Sequence, residues 1–232
     1  LKLIIAFIGG NYEAVIHGND EMIANIITDP KLLHYEPLLY YINAKAISGC
    51  VDEADNLLTQ AIAQAQNASS KAVRFLCCAQ GAMNLYLGNL EGMKAIGKTV
   101  MAMQTPEMAE HTTWGWGCGL LGWAHYERNQ FDEAEHYLAQ LEPYYYDANI
   151  TLYINCLFMR ALMAQLQHQA QYADQSLSPI ALKHLQTART RTGEWESKGL
   201  QKRCDWFELR LAWASGNAIW ARQLLDRSDL AS

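Results

Sequence analysis

No cluster of lysine and arginine occurs in this chain, and the formal charge is −6, from 18 Lys and Arg against 24 Asp and Glu. That leaves no basic footprint for nucleic acid, so direct nucleic-acid binding by this segment is not expected. The opening LKLIIAFIGG carries no basic stretch of an export signal and is far shorter than the roughly 20 residues of a membrane span. No membrane association is expected either. The six cysteines (Cys50, Cys77, Cys78, Cys118, Cys156 and Cys204) include no C-x-x-C pair, and most sit in apolar helical stretches. Reduced thiols of a cytoplasmic protein fit them better than disulfides or a zinc site.

The signatures of catalysis are missing as well. No H-E-x-x-H occurs, none of the 7 histidines pairs with a cysteine at metal-ligand spacing, and there is no G-x-S-x-G and no P-loop. His125 and His136 flank one turn and read as surface or packing histidines. The expectation is a non-enzymatic segment with no metal and no cofactor of its own.

One motif argues otherwise. Gly117, Gly119 and Gly122 form a literal G-x-G-x-x-G. A dinucleotide fingerprint must follow a buried strand and open the helix of a βαβ unit, whereas EMAEHTTW before Gly115 is no strand. The glycines at 115, 117, 119 and 122 would each cost a helix interior about 1 kcal/mol relative to alanine. Either close helix packing offsets that cost, or the helix begins late.

What the chain does contain is a repeat, in a composition that is 50% hydrophobic and 18% charged and suits a folded protein. GNYEAV at Gly10, GCVDEA at Gly49, GNLEGM at Gly88, NQFDEA at Asn129 and GNAIWA at Gly216 are variants of one phrase, spaced by 39, 39, 41 and 87 residues. The last gap leaves room for one more unit, with a turn expected near His168, an insertion up to Ser178-Pro179 and a helix over IALKHLQTA. After the turns, Ala54/Leu58/Ala61 recur as Ala134/Leu138/Leu141 and Ala181/Leu185/Ala188, with Ala221/Leu225 in the last unit. This is the small-and-large stripe of one packed helix face. Gly81 and Gly122 stand seven residues before their turns, where a missing side chain lets helices approach closely.

This grammar resembles the tetratricopeptide (TPR) helix-turn-helix repeat, at a period longer than its usual ~34 residues. The longer period, with GWAHYERNQFDEAEHYL and ELRLAWASGNAIWARQLL, is similar to the helical-repeat sensor region of MalT-like regulators of the LuxR family. The resemblance implies an all-α fold over residues 1–232: a single TPR-like α-solenoid domain of antiparallel helix pairs in a right-handed superhelix, about five units plus a partial N-terminal one. In that frame LKLIIAFIGGNYEAV enters at the end of a first helix, so the chain is expected to be a piece of a longer protein.

In TPR-like arrays the first helix of each pair lines the concave face, which is the binding surface of a solenoid. Transferring that geometry projects inward the residues thirteen, ten, six, three and two before each turn. In the first two units these include Leu39, Asn43, Phe75 and Tyr86, and in the third Trp116, Trp123 and Tyr126. The fourth unit offers Asn155, Phe158, Leu162 and Gln165, and the fifth Arg203, Trp206, Arg210 and Trp213. Aromatic faces with a few polar groups suit a ligand pocket. The same spacing also suits rings that fill the seam between stacked helices, and Arg203 and Arg210 equally suit a solvated helix face.

By resemblance, the function is inducer sensing and protein interaction in a LuxR-family transcriptional regulator. The signal is a small-molecule inducer or a partner protein, with self-association as a consequence, while ATP binding and the helix-turn-helix that reads DNA lie in other domains of the parent. The alternative is a generic TPR adaptor that grips a peptide or partner protein. Against a carboxylate clamp stands the absence of Lys and Arg from the projected groove of the first three units.

Overall fold

The computed structural model describes residues 2–8, 10–28, 35–66, 70–103, 111–144, 150–172, 176–194 and 198–227. All regular structure among them is helical. In chain order the α-helices are α1 (Lys2–Ile8), α2 (Tyr12–Ile16), α3 (Asp20–Thr28), α4 (Tyr35–Ile47), α5 (Val51–Gln66), α6 (Ser70–Tyr86) and α7 (Leu90–Ala102). There follow α8 (His111–Tyr126), α9 (Phe131–Ala139), α10 (Ile150–Tyr172), α11 (Pro179–Glu194), α12 (Lys198–Ala214) and α13 (Ala218–Arg227), with a 3-10 turn at Glu142–Tyr144. The backbone divides into two compact units, Leu1–Asn149 and Ile150–Ser232.

Each of the five turns marked by the repeated phrase is the same hydrogen-bonded structure. The Gly88 N–H donates to the Leu85 carbonyl (3.0 Å) and the Asn89 N–H to the Asn84 carbonyl (2.7 Å). Equivalent pairs close the helices at Gly10, Gly49, Asn129 and Gly216. This is the Schellman end, which requires a left-handed residue. Accordingly φ is +79° at Gly10, +90° at Gly49, +69° at Gly88, +73° at Gly216 and +58° at Asn129, the one non-glycine among them. Where the phrase reads Gly-Asn, the asparagine opens the next helix. Asn11, Asn89 and Asn217 each accept from the backbone N–H three residues on, at 3.1, 2.9 and 3.0 Å. The acids that follow, such as Asp52, Glu53, Glu91, Asp132 and Glu133, lie in first turns, where they complement the helix dipole.

Within the first unit, α4 packs on α5, α6 on α7 and α8 on α9, and α4, α6 and α8 also pack in succession. The second unit repeats the pattern with α10 on α11, α12 on α13 and α10 on α12. The expected stripes are the core: Ala54, Leu58, Ala61, Ala134, Leu138, Leu141, Ala181, Leu185, Ala188 and Ala221 are all buried. Each such leucine contributes on the order of 2 kcal/mol. Leu225 departs from the stripe and is half exposed.

The glycine question resolves by packing. Helix α8 includes all four glycines, and they are buried. A methyl on Gly122 would meet Leu138 Cδ2 at 2.5 Å, so α8 and α9 are close at that point. A methyl on Gly81 would run into Leu120 of α8.

Two expectations fail. No turn occurs near His168, since α10 runs unbroken for 23 residues through it. The stretch from 160 to 172 holds no glycine or asparagine to take the left-handed position, and its Gln, Ala and Leu residues prolong a helix. The next helix, α11, begins only at Pro179, which suits the first position of a helix. The second departure is α3, an additional helix after Gly18 (φ +76°) that buries Ile23, Ile26 and Ile27.

Candidate functional site

In the first unit Leu39, Asn43, Phe75, Trp116, Trp123 and Tyr126 are half-buried rather than open, while Tyr86 is exposed. Trp116 packs against Cys77, Cys78 and Val100, and Trp123 against Met93, Leu120 and Ala124. The Trp123 indole N–H donates to Glu127 Oε1 at 3.0 Å, one helical turn along α8. The Tyr126 ring lies 6.1 Å from that of Phe131 across the turn. These rings therefore fill seams between helices while each keeps an accessible edge.

In the second unit the projected residues separate into two groups. Phe158, expected on the open face, belongs to the core: it is buried, and its ring stacks on Phe207 at 3.8 Å between centroids. Leu162 and Gln165 are buried too. Helix α10 is apolar on nearly every side from Leu152 to Met163, so counting back from an assumed turn selects inward residues as readily as outward ones. The structure does bring Asn155 and Arg203 together, with Arg203 Nη1 donating to Asn155 Oδ1 at 3.2 Å. Near the other end Gln169 donates to the Ala214 carbonyl at 2.8 Å, so α10 and α12 are joined at two levels.

Beyond Arg203 the stripe on α12 is open to solvent. Trp206 is 48% and Trp213 76% exposed, and Arg210 between them is exposed as well. The carboxylates of α12 lie elsewhere: Asp205 takes a bond from Arg189 of α11 at 2.8 Å, and Glu208 accepts from the same guanidinium. The stripe is thus cationic and aromatic without an acid of its own.

A further feature lies outside the projected face. Helices α3, α4 and α5 enclose a cleft of about 320 Å³ whose lining includes Asp20, Tyr41, Lys45, Glu53, Asn56 and Gln60 over the apolar Ile23 and Leu57. The Tyr41 hydroxyl donates to Asp20, Lys45 Nζ donates to Glu53 Oε2 at 2.8 Å, and the same ammonium sits 3.9 Å from Asp20 and 5.6 Å over the Tyr41 ring. Burial, seconded by the bond to Asp20, pushes the Tyr41 hydroxyl up to about 12. The bond to Glu53 raises Lys45 against the opposing effect of its burial. The one signal for this cleft was the spacing of Glu53, Asn56, Leu57 and Gln60, which puts them on one face of α5.

Candidate chemistry elsewhere is sparse. Among the described residues no group of three or more His, Cys, Asp or Glu is placed to hold a metal ion. All six cysteines are free thiols, and burial raises Cys77, Cys78, Cys118 and Cys204, with Cys118 at about 12. Thiols so raised stay protonated and are poor nucleophiles. His125 and His136 do meet, through Tyr137: the rings lie 5.7 and 5.1 Å from it. No helix among the described residues is long and apolar enough to cross a membrane. Comparison with models of protein families, with curated proteins and with solved structures finds no match for this chain.

Proposed function

We propose that the chain is a TPR-like helical-repeat recognition domain, the signal-sensing and interaction segment of a MalT-like, LuxR-family transcriptional regulator acting in the cytoplasm. The observation that carries the recognition reading is the stripe on α12, where Trp206, Arg210 and Trp213 stand exposed on the first helix of a pair. Aromatic and arginine side chains are the residues that most often dominate binding energies. Five identical helix-ending turns and the succession of packed first helices support the repeat reading; the attribution to a regulator rests on the resemblance of the repeat phrases. In this reading ATP binding and DNA reading belong to other modules.

A bound signal acts by favouring one state of the parent protein over another. It does so only through unequal affinity, and about 1.4 kcal/mol of difference shifts the balance tenfold. The adaptor reading shares the same surface and differs in what occupies it.

The test is a thermal-shift screen of the purified chain against sugars, organic acids, aromatics, nucleotides and peptides. A ligand specific for the folded state at a hundredfold excess over Kd adds about 2.7 kcal/mol of stability. A hit that disappears in Trp213→Ala or Arg210→Ala supports the recognition reading. Hits indifferent to both substitutions would remove the stripe from it.

A further inference from the structure

We infer that the exposed stripe of α12 docks a short, extended, acidic segment of a partner protein, in which acidic and large apolar side chains alternate. This inference rests on the recognition reading above and names the partner class for its surface.

The first argument is exposure. A tryptophan that is 76% exposed, with a second one two turns away at 48%, leaves much apolar surface in water on a folded helix. Neither ring is needed to hold α12 in place, because that helix is anchored on its other faces by Leu200, Cys204, Phe207, Leu211 and Ala212. A drug-sized ligand needs walls that bury 70–90% of its surface, roughly, and an open helix face offers none. A partner that brings its own surface fits the geometry better.

The second argument is charge. Lys202 and Arg210 are exposed and have no carboxylate partner among the described residues, and the described partner of Arg203 is the neutral amide of Asn155. The acids of the same helix, Asp205 and Glu208, are engaged by Arg189 on α11. The imbalance extends to the whole second unit. Residues 150–232 carry 10 Lys and Arg against 7 Asp and Glu, net +3, whereas residues 1–149 carry 8 against 17, net −9. The chain is acidic overall, yet this stripe is a cationic surface, and it selects for carboxylates.

The third argument is spacing. Helical rise places Lys202/Arg203, Trp206, Arg210 and Trp213 about 4.5–6 Å apart in succession along the axis. Alternate residues of an extended chain, which share one side, repeat at about 6.7 Å. A strand laid along α12 thus presents one side chain to each feature in turn: an acid to Lys202/Arg203, an apolar group to Trp206, an acid to Arg210 and an apolar group to Trp213. The span from 202 to 213 is about 16 Å, and four alternate residues of an extended heptapeptide span about 20 Å, a difference within the reach of the long Lys, Arg and Trp side chains.

The experiment is fluorescence anisotropy with the full chain and a labelled heptapeptide in which glutamate and phenylalanine alternate, separated by serines. The comparison peptide has lysine in place of glutamate. Saturable binding of the acidic peptide is expected, weakening with salt, and falling at least about tenfold in Trp213→Ala and in Arg210→Glu. Lys98→Glu, an equal charge change on α7, should leave binding intact, and far-UV circular dichroism checks that each variant folds. Equal binding of the lysine peptide, or equal binding by the variants, overturns the inference. If the peptide fails to bind while a small molecule from the thermal screen is lost in Trp213→Ala, the recognition reading stands and the acidic-segment inference falls. It falls also if sedimentation shows that Trp213→Ala dissolves an oligomer of the chain and no peptide binds, since the stripe is then a contact between copies.

Discussion

Gly97 and Gly117 lie backbone to backbone where α7 meets α8: a methyl on Gly117 would stand 3.2 Å from the Gly97 carbonyl oxygen, and one on Gly97 3.4 Å from that of Gly117. The glycines that imitate a dinucleotide motif include one that permits this approach.

Two alanine substitutions should therefore have opposite signs. Gly117→Ala gains about 1 kcal/mol of helix propensity. It also drives the methyl to 2.5 Å from Met101 Cγ and against the α7 backbone. Overpacking of that kind costs about 1–3 kcal/mol, and with the α7 backbone beside the methyl the upper half of that range applies, for a net loss of about 1–2 kcal/mol. Gly193→Ala in α11 meets nothing within 4 Å among the described residues and should stabilise by up to about 1 kcal/mol. Thermal denaturation separates them, at about 2–4 °C per kcal/mol for a chain of this size. A higher melting temperature for Gly117→Ala would show that the crossing has slack.

The cleft network predicts an alkaline limit. Tyr41 is held protonated up to about 12 in the folded state, against an ordinary value of 10.0. A raised pKa stabilises the fold below the unfolded value, and that stability is lost as pH rises from 10 towards 12. Wild type should therefore lose more denaturant resistance between pH 9 and pH 11.5 than Tyr41→Phe does. Parallel losses in the two proteins would mean that other groups set the alkaline limit.

Gln165 should behave as a structural residue despite its place in the projected groove. Its fully buried amide accepts from the Ser178 N–H at 2.9 Å and donates to the Ser176 carbonyl at 3.0 Å, holding the loop that enters α11. Gln165→Leu strands both backbone groups, at a cost of about 2 kcal/mol or more. Urea denaturation reads the loss, and faster proteolysis at 176–178 should accompany it. An unchanged midpoint would show that water replaces the amide.

Phe158→Ala should cost about 3–5 kcal/mol, the usual penalty for emptying a ring site in a core. At temperatures where the variant remains folded, its affinity for the acidic peptide should match that of wild type. A stable variant with weakened binding would return Phe158 to the surface.

How legible the molecule was in its sequence differs from feature to feature. The turns at Gly10, Gly49, Gly88, Asn129 and Gly216 were readable because a Schellman end needs a residue able to take φ > 0, and Gly or Asn supplies it at the position itself. The turn near His168 was inferred from spacing, in a stretch without such a residue, and the helix continued. The stripe on α12 was readable from spacing. Which of its residues are exposed was not, since Phe207 and Trp206 are neighbours in sequence and the packing of α12 on α10, with Phe207 stacked on Phe158, decides which of them faces inward.

Of the cleft, only the shared face of Glu53, Asn56, Leu57 and Gln60 on α5 was legible. Asp20, Tyr41 and Glu53 come from three helices, and one of these, α3, exists because Gly18 breaks the preceding helix and Ile23, Ile26 and Ile27 find a core to enter. The sequence by itself determined the all-helical character, the five helix ends and the small-and-large packing stripes, because these follow from backbone sterics and side-chain periodicity within a few residues. The tertiary structure alone decided how close α7 and α8 approach, which side of α10 is buried and where Lys45 finds its carboxylates. Those outcomes depend on side chains far apart in the chain competing for the same space, and no local pattern records who wins.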